Sequence, residues 1–377
     1  MTTFYGWETN AFTHNHDVIL SESLLLFFGL LAICLLVQYT IKVSHFKLFP
    51  ESVATMLISL LLGGILRLSF GGKISEILVV SSFNVDVFRL AFLPPIIYNS
   101  GFHLRRKLFY GNRLPILSLA FIGTIGSAIL IAVGIYYLSR CHLSVNFPEI
   151  SWTEAIAFGS LLSSTDPVAT LTLYSTLRVE PALLTLVLGE SVLNDAVAIT
   201  VFKSAILLIE KNVGTIDIVT GLVNFIIIFV GSAIIGYGLI LCFAWSLKRI
   251  DLSHSSVEAM SIIVCTIFIP FFLADMLQLS GIVAIFFSGI AARRHIHKGN
   301  TNKVKILSSQ LFKLLSHIGE TSCFCLLGLS IFLDNNMSYS ILLFATFLLI
   351  FCNISRAIMV YGLLFLVSFY VPMLALF

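Results

Sequence analysis

Long apolar segments recur along most of this chain and constrain its fold more than any other sequence feature. A segment of about 20 apolar residues crosses the hydrocarbon core of a bilayer as an α-helix, which satisfies its own backbone hydrogen bonds. The segments lack the alternating pattern of a β-barrel strand. With 58% hydrophobic and 11% charged residues, the chain also has too little polar surface for a soluble globule of 377 residues. The sequence therefore predicts an all-α polytopic membrane protein.

About eleven such spans can be counted along the chain. The third and ninth spans are the shortest, so we expect tilted, broken or half-buried helices there. Basic residues concentrate in the loops on one side, which by the positive-inside rule places the N-terminus on the non-cytosolic side. We divide the chain into a polar, non-cytosolic N-terminal segment (1–17), a transmembrane domain (18–370) and a short C-terminal end (371–377). The predicted spans are 19–41, 49–68, 86–101, 114–138, 153–174, 181–209, 216–246, 257–276, 279–294, 310–333 and 339–370.

The sequence gives little support for an enzyme or for a nucleic-acid-binding protein. It has no Gly-rich phosphate loop, nucleophile elbow or HExxH motif. The net charge of +3 is explained by cations at helix ends that face anionic lipid. We therefore expect no enzymatic activity, no cofactor and no nucleic-acid partner. The seven cysteines are interpreted as small buried hydrophobic residues, and Cys323 with Cys325 as a poor metal or redox pair.

Two neighbouring spans each carry an aspartate at depth. Asp195 follows Asn194 in the middle of one span, and Asp166 precedes Pro167 in the other. A charged side chain at the bilayer centre costs about 2.5–3.5 kcal/mol on insertion scales, so it usually faces a water-filled cavity, a partner or an ion path. Because a proline cannot donate to the helical ladder, we expect the backbone around Thr165 to be kinked or unwound. The freed carbonyls and the Thr165 hydroxyl would then serve as ion ligands.

A carboxylate in a partly dehydrated cavity can hold either a proton or a monovalent cation. Burial disfavours its charged form and so favours the proton, while Na⁺ and K⁺ prefer the same oxygen ligands. Competition for one site is sufficient for antiport, and we predict Asp195 as that site, with Asn194, Asp166 and Thr165 around it. A structural hydrogen-bonded acid at Asp195 and a packing kink capped by Asp166 are the alternatives.

Further charged residues lie inside the apolar spans. Glu190 needs a partner or neutralisation, and Arg356, the only arginine deep in an apolar run, is the obvious candidate for a buried ion pair. Asp275 and Glu320 are secondary candidates, and each could shape the electrostatics of a cavity or make a structural hydrogen bond. Lys203 could extend to water or pair with an acid.

Seven motifs follow one another in order along most of the chain. They are FPESVA (49–54), LPPIIYNSG (93–101), FGS with STDPVA (158–169), GES with NDAV (189–197), AD with LSGIVA (274–284), ET with LGLS (320–330) and SRA (355–357). Together these residues resemble the eukaryotic sodium/proton exchanger family of cation/proton antiporters. The resemblance runs from about residue 18 to 368.

The resemblance implies an inverted-repeat fold with a discontinuous helix, a dimerisation domain and a mobile core domain that works by elevator-like alternating access. It also implies a homodimer, a role in pH and cation balance, and a location in Golgi or endosomal membranes or in the plasma membrane. Carried over to this sequence, it makes Asp195 the carboxylate shared by Na⁺ (or K⁺) and H⁺, and Asn194 its neighbour in the form associated with electroneutral exchange. It makes Thr165 and Asp166 the contributors from the broken helix, and Glu190 and Arg356 the buried charge pair.

The chain also departs from the family pattern. Members of the family continue after the arginine helix into a second discontinuous helix, a last helix and a cytosolic tail, whereas this chain ends at Phe377. We therefore expect the last two helices to be lacking, in a fragment, a truncated form or a degenerate copy. Asp275 replaces the usual glutamate. The alternatives to an antiporter are an inactive relative that dimerises with full-length copies and a proton-coupled solute carrier.

Overall fold

The computed structural model is helical in nearly all the residues that it describes. No strand occurs among these residues, in agreement with the predicted all-α class. The described residues are 5–43, 51–70, 88–104, 106–140, 150–165, 174, 177, 179–210, 218–249, 256–295, 302–330 and 339–374.

We number the α-helices in chain order. Two π-helical turns, Phe88–Phe92 and Leu119–Gly123, precede α3 and α6. The α-helices are α1 (Tyr5–Val43), α2 (Glu51–Phe70), α3 (Leu93–His103), α4 (Arg106–Gly111), α5 (Arg113–Ser118), α6 (Thr124–Arg140), α7 (Trp152–Ser163), α8 (Pro181–Glu210), α9 (Ile218–Arg249), α10 (Ser256–Met276), α11 (Gly281–His295), α12 (Asn302–Ser330) and α13 (Tyr339–Leu374).

Each predicted span overlaps helical residues of the structure, but the number of membrane crossings stays a prediction. In the described part of the chain, six helical stretches are long and apolar enough to cross a membrane by length and composition. They are Leu24–Val43, Arg113–Arg140, Pro181–Leu207, Val223–Leu247, Val257–Met276 and Leu343–Phe365. Helix α1 already begins at Tyr5, inside the segment (1–17) that was predicted only as polar, because a helix satisfies its own backbone whatever the polarity of its side chains.

The chain divides into two compact units. The smaller unit comprises Met1–Ile96 and Gln310–Asn336, and the larger unit comprises Ile97–Ser309 and Met337–Phe377. The smaller unit thus contains α1, α2 and most of α12. The larger unit contains α4 to α11 and α13, and with them the two spans that carry the predicted exchange site.

Within the smaller unit, α12 packs directly on the backbone of α2. A side chain at Gly328 would place its Cβ 2.5 Å from the carbonyl oxygen of Met56 and 2.7 Å from Cβ of Ser59. Only a glycine allows this close approach of the two helices. The approach in turn brings the neighbouring turns of α12 into reach of polar side chains on the facing helices.

Within the larger unit, the short helix α11 is enclosed by protein. Nine of its fifteen residues are buried, and Arg293 at its end donates to the carbonyl oxygen of Phe102 on α3 at 2.8 Å. On α3, the buried hydroxyl of Tyr98 lies 3.0 Å from the hydroxyl of Thr266 on α10. The short third and ninth spans therefore correspond to helices with extensive protein contacts.

Candidate ion-binding site

Helix α7 ends just before the Asp-Pro motif. Its last helical residue is Ser163, Ser164 has an extended backbone (φ −73°, ψ 128°), and Thr165 is non-helical and exposed. Pro167 has no N–H to donate to the carbonyl of Ser163, and a proline disfavours helical backbone in the residue before it. The expected interruption around Thr165 is thus present on its N-terminal side. Asp166 lies outside the described residues.

Two local features position α7. At its start, Ser151 and Glu154 form a capping box, in which the Ser151 backbone N–H donates to Glu154 Oε2 at 2.8 Å. In its middle, Gly159 lies against α6, where a Cβ would meet the carbonyl oxygen of Ala128 at 2.7 Å. The capped start and the close packing against α6 fix the position of α7 and therefore the position of its C-terminal end.

The end of α7 meets Asp195 through Ser164. The Ser164 hydroxyl donates to Oδ1 of Asp195, which is half-buried on α8. The hydroxyls of Ser160 and Ser163, in contrast, donate to carbonyls of their own helix at 2.7 Å. Ser164 differs because its backbone has left the helix, so its side chain no longer faces the preceding turn.

Ser164 is the contact of Asp195 that the sequence did not predict. The pattern favoured Thr165 and Asp166 instead, because Thr165 carries a hydroxyl beside the motif and Asp166 carries a charge. The predicted helix break was the sequence signal that could have identified Ser164. The first residue after a helix end is the one whose side chain is freed from that helix while still lying close to the neighbours of its last turn.

About one and a half turns before Asp195, α8 carries a charge pair. Arg356 on α13 forms an ion pair with Oε1 of Glu190, and the two side chains are 19% and 12% exposed. The same oxygen accepts a hydrogen bond from Nδ2 of Asn194 at 3.2 Å. Removing one member of such a pair costs more than the pair itself contributes, because the other charge stays buried.

The amide oxygen of Asn194 is the least satisfied atom of the site. Asn194 is fully buried, and its Oδ1 has no hydrogen-bond partner within the described part of the chain. A buried acceptor without a donor normally costs about 1–3 kcal/mol. An amide oxygen is a ligand of the type that Na⁺ and K⁺ prefer, so Asn194 stays a candidate ligand beside Asp195 and Ser164.

The secondary candidates have different surroundings. Asp275 on α10 accepts from Nζ of Lys203 at 3.0 Å, and the same ammonium donates to the carbonyl oxygen of Leu279 at 2.8 Å. Lys203 thus pairs rather than extending freely to water, and it ties the end of α8 to the α10–α11 turn. Glu320 lies on α12, where its Oε1 accepts from the hydroxyl of Ser316 at 2.7 Å.

Comparison with known proteins decides the family. The family model described as "Sodium/hydrogen exchanger, transmembrane" matches residues 29–373. The chain belongs to the sodium/hydrogen exchanger family. This family consists of secondary transporters rather than enzymes, and the protein is a multi-pass integral membrane protein.

Individual members of the sodium/hydrogen exchanger family are similar over most of this chain. Human sodium/hydrogen exchanger 8 is 33% identical over 357 residues, which cover 93% of this chain and 60% of that protein. Sodium/hydrogen exchanger 1 of Dictyostelium discoideum is 32% identical over 333 residues, which cover 88% of this chain and 48% of that protein. The chain therefore spans about 60% or less of the length of these relatives.

A solved structure of an exchanger supports the fold independently. The sodium proton antiporter MjNhaP1 from Methanocaldococcus jannaschii, at pH 8, superposes with a TM-score of 0.61 at 18% sequence identity. The match covers 81% of this chain and 71% of that one. This likeness confirms the antiporter fold that the sequence motifs implied.

Proposed function

We propose that this exchanger-family chain is a secondary active antiporter that exchanges Na⁺ for H⁺ at Asp195. The observation that carries the proposal is the contact of Asp195 with Ser164, at the point where α7 ends before the Asp-Pro motif. A half-buried carboxylate thereby lies beside non-helical backbone, and irregular backbone at membrane depth is tolerated where it lines a cavity or is buried in protein.

The exchange follows from what one carboxylate can bind. When Asp195 is ionised, its oxygens, Oδ1 of Asn194 and the Ser164 hydroxyl oxygen offer ligands to a dehydrated cation. When Asp195 is protonated, it is neutral and no longer attracts the cation. Because the one shared carboxylate holds either one Na⁺ or one H⁺, one ion replaces the other without a change in net charge. The proposed exchange is therefore electroneutral.

Competition of this kind makes a kinetic prediction. Below the pH at which Asp195 is half protonated, the apparent KM for Na⁺ should rise about tenfold for each unit by which the pH falls. The maximum rate at saturating Na⁺ should change much less. A maximum rate that falls in parallel with pH, at constant KM, would contradict a shared site.

The proposal also concerns which cation is transported and in which membrane the protein lies. The oxygen ligands suit K⁺ as well as Na⁺, so K⁺ is the second candidate cation. By resemblance to the family, we place the exchanger in Golgi or endosomal membranes or in the plasma membrane, where it would regulate pH and cation balance.

Proton flux in proteoliposomes tests the proposal. Purified chain is reconstituted with a pH-sensitive dye, and a Na⁺ or K⁺ gradient is imposed. We expect cation-driven flux that is lost in Asp195→Asn, because an amide can neither ionise nor carry a proton. Glu258→Gln is the matched control, since it makes the same carboxylate-to-amide change at an exposed position on α10.

Each outcome of this assay has one interpretation. Flux that is lost in Asp195→Asn and kept in Glu258→Gln supports antiport, and the two gradients rank the cations. Flux that persists in Asp195→Asn refutes the site. If folded protein gives no flux with either cation, the antiporter proposal fails for this chain. In that case an organic solute that drives proton flux would favour a solute carrier, and altered flux of a co-reconstituted full-length exchanger would favour a regulatory copy.

We also propose that the protein works as a homodimer, on the strength of the family resemblance. Light scattering of the detergent-solubilised protein, with the detergent mass subtracted, measures the number of chains per particle. Two chains are expected. A particle with one chain, in detergent and after cross-linking in membranes, would contradict the dimer.

A further inference from the structure

Three helices of the smaller unit are joined by a layer of buried polar side chains. Gln38 on α1 donates through Nε2 to the hydroxyl of Thr55 on α2 at 2.6 Å and to the hydroxyl of Thr321 on α12 at 3.4 Å. All three side chains are buried, at 6%, 0% and 2% exposure. Direct hydrogen bonds between α1 and both partner helices show that the helix axes are close at this level.

A second layer lies one helical turn away on all three helices. Cys34 lies four residues before Gln38 on α1. Ser59 and Cys325 lie four residues after Thr55 and Thr321 on α2 and α12. The register continues into an apolar layer, since Leu30 and Leu329 pack with the two cysteines in one buried cluster. The cysteines therefore face each other across α1 and α12.

The two thiols lie in the interior of this three-helix contact. Both cysteines are 0% exposed, and they belong to the same buried cluster. Cys34 Sγ also lies 3.5 Å from the hydroxyl of Ser59. Gly328, one turn along from Cys325, is the residue through which α12 contacts the α2 backbone. The Gln38–Thr321 hydrogen bond and the shared apolar cluster hold α1 against α12 on either side of the two cysteines.

We propose that Cys34 and Cys325 form a redox-responsive pair, which a hydroperoxide converts to a disulfide that links α1 to α12. The pair differs from the sequence neighbours Cys323 and Cys325, whose side chains point about 200° apart around α12 and cannot meet. The link would join positions far apart in sequence within one compact unit. It would thereby fix the contact of α1 with α12 that the polar layers hold non-covalently.

The chemistry is balanced with hydrogen peroxide as the oxidant. One thiol loses its proton and attacks a peroxide oxygen, which breaks the O–O bond and gives a sulfenic acid and water. The second sulfur then attacks the sulfenic sulfur, the S–S bond forms, and a second water leaves. Two thiols are oxidised and one peroxide is reduced. Peroxide is small and uncharged, so it can enter a membrane protein where larger thiol reagents cannot.

Mass spectrometry of the whole chain in membranes tests the proposal. Membranes are treated with hydrogen peroxide, free thiols are alkylated in denaturant, and peptides are compared with and without reductant. We expect a Cys34–Cys325 linked peptide that disappears on reduction. The link should be absent in Cys34→Ser and in Cys325→Ser, and unchanged in the control Cys323→Ser.

The exposed thiol of Cys242 reports whether peroxide has reacted with the protein. If Cys242 is oxidised while Cys34 and Cys325 are still alkylated as free thiols, the proposal is wrong. A link from Cys34 to Cys323 in the Cys325→Ser variant would overturn the proposed facing geometry. Because the peptide is mapped in the unmutated chain as well, the test holds even if a serine variant folds poorly. A rise in melting temperature on oxidation, reversed by reductant, would show that the link constrains the helices.

Discussion

Polar groups are buried in both compact units, but they are arranged in opposite ways. In the smaller unit, the layers Gln38–Thr55–Thr321 and Cys34–Ser59–Cys325 are neutral, and their members hydrogen-bond one another across three helices. In the larger unit, the residues around Asp195 are charged or incompletely satisfied, and Asn194 keeps an acceptor without a described partner.

The difference separates two uses of buried polarity. Neutral groups that satisfy each other cost little to bury and fix the register of helices. Charged groups and acceptors without a donor are costly to bury, and they remain able to bind an ion or a proton. The first arrangement suits a unit that is held together, and the second suits a unit that exchanges ions. Four substitutions can break or sharpen this contrast.

The largest effect is expected from Arg356→Met in the larger unit. It leaves Glu190 buried beside Asn194 without its cation, at a cost of about 3–5 kcal/mol. Denaturant titration of the purified protein in micelles measures the free energy of unfolding. The double variant Glu190→Gln with Arg356→Met should recover most of the loss, since it removes both charges. A double variant no more stable than Arg356→Met would show that the charge is not the cause.

The second largest loss of stability is expected from a steric change in the smaller unit. Gly328→Ala places a methyl group 2.5 Å from the carbonyl oxygen of Met56, so α12 must move away from α2, at about 1–3 kcal/mol. The matched control is Gly238→Ala in α9, where a Cβ meets nothing within 4 Å. The control should be stabilised by about 0.5–1 kcal/mol through helix propensity. Equal stabilities of the two variants would contradict the close packing.

Ser164→Ala should affect function rather than stability. Loss of a hydrogen bond to a charged group is worth about 1.5 kcal/mol, so the apparent KM for Na⁺ should rise roughly tenfold. Ser160→Ala is the matched control, because that hydroxyl donates only to its own helix in the described contacts. Sodium-dependent flux in proteoliposomes gives both values. A KM that rises equally in the two variants would remove Ser164 from the site.

The smallest effect is expected from Thr321→Val in the smaller unit. It removes the long contacts of the Thr321 hydroxyl with the Gln38 amide and its bond to the carbonyl of His317 in its own helix. Hydrogen bonds between membrane helices average about 0.6 kcal/mol. The free energy of unfolding should fall by this amount while the KM for Na⁺ stays constant. Thr40→Val, which loses only a bond to the carbonyl of Val37 in its own helix, is the control. A changed KM in Thr321→Val would show that this layer also serves transport.

A buried charge gave the clearest signal for a contact between residues far apart in the sequence. Glu190 and Arg356 were paired from the sequence because a buried charge needs a counter-charge, and the structure brings them together. Neutral contacts give no such signal. The Ser164–Asp195 contact and the Cys34–Cys325 contact depend on helix direction and register, which composition does not reveal.

The sequence by itself determined the helical class, the membrane location and the break near Thr165, because apolar length and a mid-span proline act through local backbone chemistry. The family resemblance came from seven motifs in order. Tertiary structure decided which atoms meet. In the tertiary structure, Ser164 contacts Asp195 and Lys203 pairs with Asp275. The polar layers of α1, α2 and α12 also form only when these helices pack together. These outcomes follow from helix packing, where one residue of rotation or one missing Cβ changes which side chains face each other.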